Sequence, residues 1–180
     1  MIDEELHAVG REISAIAQRD PNRAAIVTSN GETITYSELE SSVDALASAF
    51  AAHGLEPGDV VAVLSTNRPE WMMSYEAALR AGLTLLPVNW HLETDDVQYV
   101  LTDSGARALI AESVFAHQAQ SAPDAITLRI SIGDPIEGFL PWADALASSP
   151  SPAPVRQRGT QMIYTSGTTG RPKGVRHSPQ

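Results

Sequence analysis

Apolar and polar positions along this chain change rhythm several times, and each change predicts an element. From about Glu4 to Gln18 the apolar residues recur near helical spacing, which predicts one amphipathic helix. Asp20 to Arg23 is turn chemistry. "AAIVT", "SNGE" and "TIT" then predict a hairpin around Asn30-Gly31. Thr35 and Glu38 have the spacing of a capping box. The helix they open carries Leu39, Val43, Leu46, Ala47 and Phe50 on one face and stops at Gly54.

Beyond Gly54 the pattern settles into apolar runs separated by helical stretches. "VVAVLS", "LTLLPV" and "ARALIA" suit strands buried on both faces. "NRPEW" opens a helix to about Ala81 with Pro69 in its first turn. Thr94 is placed to cap a helix through Leu101, "SVFAHQAQ" reads as a short helix, and "AITLRISI" alternates like a strand with one wetter face. The expected fold class is α/β, a mostly parallel sheet flanked by helices. Gln161 to Tyr164 reads as a strand leading into a Gly/Thr-rich loop, and Gly174-Val175-Arg176 as the start of one leading out. A Pro/Ser stretch suggests a division into an α/β subdomain over 1–147, a linker at 148–154, and a strand plus loop over 155–180.

Composition narrows the classes. The chain has 180 residues, 43% apolar, enough for one domain with a core. It has no Cys, which removes disulfides and thiolate metal sites. The start is acidic and periodic, unlike a signal peptide, and the most apolar region is broken by Arg80, Gly82 and Pro87. These features lead us to expect a cytoplasmic protein without a transmembrane segment. A net charge of −10 argues against nucleic acid as a partner. Charge is uneven, however. Residues 1–144 hold seven Arg and all 22 acidic residues, whereas 145–180 hold Arg156, Arg158, Arg171, Lys173 and Arg176 with no acid. That basic end is either a surface strip or a local anion site.

"YTSGTTGRPKG", Tyr164 to Gly174, decides between them. Gly167, Gly170 and Gly174 allow backbone N–H groups to converge on one point. Thr165, Ser166, Thr168 and Thr169 add hydroxyls, and Lys173, the only Lys in the chain, adds a point charge suited to phosphate oxygens. The alternative is a solvated Gly/Thr/Ser loop, yet a chance match to nine fixed positions is on the order of 10⁻¹¹. The spacing excludes a Walker A loop, because Lys173 is followed by Gly174, and no G-x-G-x-x-G is present.

"YTSGTTGRPKGV" resembles the phosphate-binding motif of the AMP-forming acyl-adenylating superfamily: acyl- and aryl-CoA synthetases, peptide-synthetase adenylation domains and luciferases. The flanking "TITYSELESSVDALASAFAAHGLEPGDVVAVLSTNRPEW" and "AALRAGLTLLPVNWHLETDDVQYVLTDSGARALI" are similar to that family's first segment, and "PVNWHL" resembles its fatty-acyl-CoA synthetase branch. The resemblance implies the first part of the N-terminal domain of an acyl-adenylate-forming enzyme. It also implies activation of a carboxylic, most simply fatty, acid as acyl-AMP by ATP with Mg²⁺, followed by transfer to coenzyme A. Thr165, Ser166, Gly167, Thr168, Thr169, Gly170 and Gly174 would contact phosphate. Lys173 would steady the loop or the leaving pyrophosphate, as the one candidate catalytic residue. Arg171 sits at the motif's variable position and receives no role.

Where many CoA-ligase relatives have Arg near the CoA nucleotide, this chain has His91, so that contact or plain packing of Trp90-His91 both remain open. Trp71, Met72, Met73 and Tyr75, at helical spacing, are assigned to the core rather than to an acyl pocket. The family's adenine segment, ribose Asp, Mg²⁺-holding Glu and C-terminal catalytic Lys have no counterpart here. The expectation is therefore an N-terminal fragment, inactive by itself, with no metal ligand. A peptide-synthetase adenylation domain, an aryl-CoA ligase, a non-catalytic binding module and a homodimer of the longer protein stay open.

Overall fold

The computed structural model describes residues 5, 7, 9–147, 157–165 and 172–176. Helix α1, Glu12–Arg19, is shorter than the sequence pattern predicts. Glu5 and His7 are also helical, but Gly10 interrupts the run with φ +68°. A Cβ there would also sit 2.9 Å from the Leu79 carbonyl oxygen, so the single helix gives way to a break that only glycine adopts easily. Strands β1 (Ala24–Val27) and β2 (Thr33–Thr35) form the expected antiparallel hairpin. Helix α2, Tyr36–Ala52, starts with the expected capping box: the Thr35 hydroxyl accepts from the Glu38 N–H, and the Glu38 carboxylate accepts from the Thr35 N–H at 2.8 Å.

The main sheet contains β3 (Val60–Leu64), β4 (Thr84–Pro87), β5 (Ala106–Glu112), β6 (Leu128–Ile132), β7 (Leu140–Pro141), β8 (Thr160–Thr165) and β9 (Lys173–Arg176). Their spatial order is β7-β6-β5-β3-β4-β8-β9. All neighbours are parallel except β8 and β9. The mostly parallel α/β class read from the sequence is the observed one.

The helices are α3 (Pro69–Arg80), α4 (Thr94–Asp103), α5 (Ala116–Gln120, after a 3₁₀ turn at Ser113–Phe115) and α6 (Trp142–Ala147). Alternate strand residues feed two cores. Val61, Val63, Leu85, Ile110 and Ile130 pack with Leu39, Val43, Leu46 and Phe50 of α2 and with Met73 and Ala77 of α3. Val60, Ala62, Leu64, Leu86 and Leu109 pack with Val97, Val100 and Leu101 of α4 and with Met162 of β8. Both faces are thus covered, as a parallel sheet requires.

Two further expectations are corrected. Thr94 does not cap α4; Glu93 precedes the helix with no side-chain cap bond, and Thr94 is its first helical residue. Strand β6 is not wet on one face: only Arg129 is half-buried, while Ser131 is 1% exposed. β7 and α6 were not expected at all, being two and six residues long, too short for a periodicity to show. The Pro/Ser linker, 148–154, lies outside the described residues. On leaving it the chain rejoins the same sheet, through Thr84↔Thr160 and Leu85↔Gln161 of β4 and β8.

Candidate phosphate-binding hairpin

Close approach fixes where β8 begins. The Gly159 N–H donates to the Leu79 carbonyl at 2.8 Å and the Thr160 N–H to that of Leu83 at 2.9 Å. A Cβ on Gly159 would lie 2.1 Å from the Leu83 carbonyl oxygen. Only a residue with no side chain fits there. From this anchor β8 runs to Thr165 and pairs antiparallel with β9 in the register Met162↔Arg176, Ile163↔Val175, Tyr164↔Gly174 and Thr165↔Lys173.

That register sets Thr165 and Lys173 opposite each other at the mouth of the turn, both exposed. Gly174 lies under the Tyr164 ring, where a Cβ would come within 2.8 Å of Cε2. Of the expected phosphate contacts, Thr165, Lys173 and Gly174 are described and brought together. Ser166, Gly167, Thr168, Thr169, Gly170 and the unassigned Arg171 lie outside the described residues.

Two contacts that the sequence reading missed attach this hairpin to α4. The Tyr164 hydroxyl donates to Asp103 Oδ2 at 2.6 Å, and the Tyr99 hydroxyl donates to the Pro172 carbonyl at 3.3 Å. Burial, then the hydrogen bond and charge of Asp103, push the Tyr164 phenol far above its ordinary range, so it is a neutral donor at any physiological pH. These partners are 61 and 73 residues apart in the chain, and no local pattern announces them.

The basic end of the chain is less available than its composition suggests. Arg158 Nη2 pairs with Glu12 at 3.0 Å, and Arg158 Nη1 meets His7 Nε2 at 3.3 Å, which commits that cation to the packing of the amino-terminal helical segment. Lys173 and Arg176 remain exposed on β9.

At the carboxyl ends of β3 and β5 the connections leave in opposite directions across the sheet, the place where α/β folds form crevices. Glu112 occupies it. Its Oε2 accepts from the Thr66 N–H at 2.9 Å and the Thr66 hydroxyl at 2.8 Å, and its Oε1 accepts from Arg68 at 3.0 Å. Burial alone would raise this carboxyl, but the bonds from Thr66 and Arg68 outweigh it and hold it below the usual range. Through these bonds Glu112 ties the end of β5 to the connection between β3 and α3.

Trp90 is exposed, with the His91 ring tilted against it at 3.5 Å between ring centroids and the Phe115 ring stacked on it at 5.9 Å. The Asn89 side-chain oxygen accepts the His91 N–H at 3.0 Å. Of the residues assigned to the core, Met73 is buried, and Trp71 and Tyr75 pack against it with stacked rings. Met72 is 41% exposed and lines a cavity of about 880 Å³ with Ile26, Ile34, Arg68 and Trp142. That cavity lies on the α2–α3 side of the sheet, away from Tyr99 and Tyr164, which pack on the other face. Among the described residues no group of three or more His, Cys, Asp or Glu could hold a metal ion. No described helix is long and apolar enough to cross a membrane.

A doubly covered, mostly parallel sheet with an antiparallel hairpin on one edge defines an α/β protein. More particularly, the chain belongs to the AMP-binding enzyme family, whose pattern it matches over residues 13–180. It is 35% identical to the fatty acid–[acyl-carrier-protein] ligase ScoC of Streptomyces coeruleorubidus over 95% of this chain and 33% of that protein. Identity to the 3-hydroxybenzoate–CoA ligase of Aromatoleum sp. (strain CIB) is 36%, over 91% of this chain and 32% of the relative. A protein assigned as a long-chain-fatty-acid CoA ligase of Rhodopseudomonas palustris CGA009 superposes with a TM-score of 0.84 at 26% identity, over 96% of this chain and 44% of the other. The chain spans about a third of the length of these curated relatives.

Proposed function

We propose that this segment serves an ATP-dependent acid–thiol ligase and holds the β- and γ-phosphates of ATP while a carboxylate is adenylated. In that reaction a carboxylate oxygen attacks the α-phosphorus and the bond to the bridging oxygen breaks. Pyrophosphate then leaves with the electron pair. A thiol sulfur next attacks the acyl carbon and AMP departs. The work is mostly positioning and charge neutralisation. Thr165, Ser166, Gly167, Thr168, Thr169 and Gly170 supply hydroxyl and N–H donors, and Lys173 neutralises the departing pyrophosphate. The observation carrying this reading is the register that puts Thr165 and Lys173 at one end of the hairpin, inside a chain whose family is AMP-binding.

Coenzyme A is the proposed acceptor and a fatty acid the proposed acid, supported by the "PVNWHL" stretch. A carrier-protein acceptor has equal standing among the relatives, since one ligates to an acyl-carrier protein and another to CoA. Mg²⁺ is expected to accompany ATP. No step above depends on a metal ligand from these residues.

The test is ATP–pyrophosphate exchange in the longer protein that carries this segment. Thr168→Ala and Lys173→Ala should each lower kcat/KM for ATP at least tenfold, about 1.4 kcal/mol of transition-state stabilisation, with the unfolding midpoint unchanged. Variants that lose stability and keep turnover would show the loop to be structural. Adding CoA or acyl-carrier protein as acceptor, with acids of graded length, then fixes the second half-reaction.

A further inference from the structure

Backbone pairing with β4 holds β8 only at its start, through Thr160 and Gln161. By Tyr164 the hairpin has left that ladder, and its outer strand β9 is exposed along its whole length. Its distal half therefore needs another support. One helix gives it: Tyr99 and Asp103 are four residues apart and share a face of α4. Asp103 takes the Tyr164 hydroxyl on the inner limb, and Tyr99 bonds the Pro172 carbonyl on the outer limb. Tyr164 is directly followed by Thr165, and Pro172 by Lys173, so each bond is one residue from a candidate phosphate contact.

The position of Asp103 strengthens this. It is the last residue of α4, where the carbonyl end of the helix dipole disfavours a carboxylate. Its charge opposes the helix that carries it and is directed to the hairpin. The Gly174 contact completes the fit, because the Tyr164 ring can lie flat across β9 only where β9 has no side chain.

We propose that Tyr99 and Asp103 are positioning residues that clamp both limbs of the phosphate hairpin to α4 and so set the separation and height of Thr165 and Lys173. The consequence for ATP rests on the function proposed above; the clamp itself does not.

Lys173 is the only lysine, so a lysine-specific endoproteinase can cut this 180-residue chain at one bond, Lys173–Gly174. Cutting requires β9 to leave its pairing with β8, and its rate therefore reads release of the hairpin. Tyr164→Phe and Asp103→Ala are each expected to speed cleavage about tenfold at an unchanged or, for Asp103→Ala, slightly raised urea midpoint. The double variant should be no faster than either single one, because both remove the same bond. Tyr99→Phe should speed it a few-fold. Thr102→Ala, whose hydroxyl bonds the Gln98 carbonyl within its own helix, should leave the rate alone. Rates within twofold of the unsubstituted chain, or faster cutting matched by a proportional fall in urea midpoint, would overturn the clamp. In the longer protein Asp103→Ala should raise KM for ATP several-fold with kcat nearly unchanged; faster cutting without that rise would overturn the positioning role. Failure of the phosphate reading itself is seen separately, in the Lys173→Ala exchange experiment.

Discussion

Gly159→Ala isolates the close approach that anchors β8. The added methyl would meet the Leu83 carbonyl oxygen at 2.1 Å and the Ala78 carbonyl oxygen at 2.9 Å. Both are backbone atoms, Ala78 in the last turn of α3 and Leu83 in the α3–β4 connection, and cannot rotate away. Relief needs a retreat of about 1 Å by the 159–160 backbone, which stretches the 2.8 and 2.9 Å bonds to Leu79 and Leu83 beyond useful length. Two backbone hydrogen bonds at about 0.5–1.5 kcal/mol each give an expected loss of roughly 1–3 kcal/mol. The Thr84–Thr160 hydroxyl contact at 3.2 Å and the two register pairs with β4 would weaken with them. Urea unfolding reads the total, and amide hydrogen exchange at Thr160 and Gln161 reads where it falls. An unfolding midpoint and exchange protection equal to those of the unsubstituted chain would show that the approach is not a constraint, and the argument for glycine at this position would be lost.

Two further outcomes follow from buried charge. Arg80 is 1% exposed and donates to Asp44 at 2.9 Å and Glu40 at 2.8 Å, so Arg80→Ala should lower unfolding free energy by about 3–5 kcal/mol, and Arg80→Lys should recover only part, since one ammonium cannot bridge both carboxylates as a planar fork does; denaturant titration checks both. Burial, with Glu12 and then Glu40 nearby, raises the Glu76 carboxyl against the opposing pull of Arg158 and Arg80, so the fold favours its protonated form and loses that stability as pH rises past the unfolded value and through the folded one. Glu76→Gln is expected to raise Tm at pH 7 and to show no advantage below about pH 4, a reversal of which would contradict the burial argument.

The features legible in the sequence were those in which neighbouring residues share one cause. Val60–Leu64 is apolar throughout because both of its faces are covered, and Thr35 with Glu38 announces a helix start within four residues. The family was readable from the loop motif because its residues are contiguous. What escaped depends on residues far apart in the chain. Arg80 looked like an interruption of an apolar stretch, yet Asp44 and Glu40, about 40 positions earlier, make its burial tolerable. The break at Gly10 follows from contact with Leu79, which no periodicity of the first helix encodes. Nothing in the local sequence singles out Asp103, and only the folded chain sets it against Tyr164.

The strand order has a consequence for how the molecule is made. β3, at the centre, is the first strand of the main sheet to emerge from a ribosome. Each later strand joins an edge already present: β4 on one side, β5, β6 and β7 successively on the other, then β8 and β9 beyond β4. Among the described strands none has to insert between two that are already paired, so the sheet can grow outward in step with synthesis, and the β8–β9 hairpin joins an edge that β4 already presents.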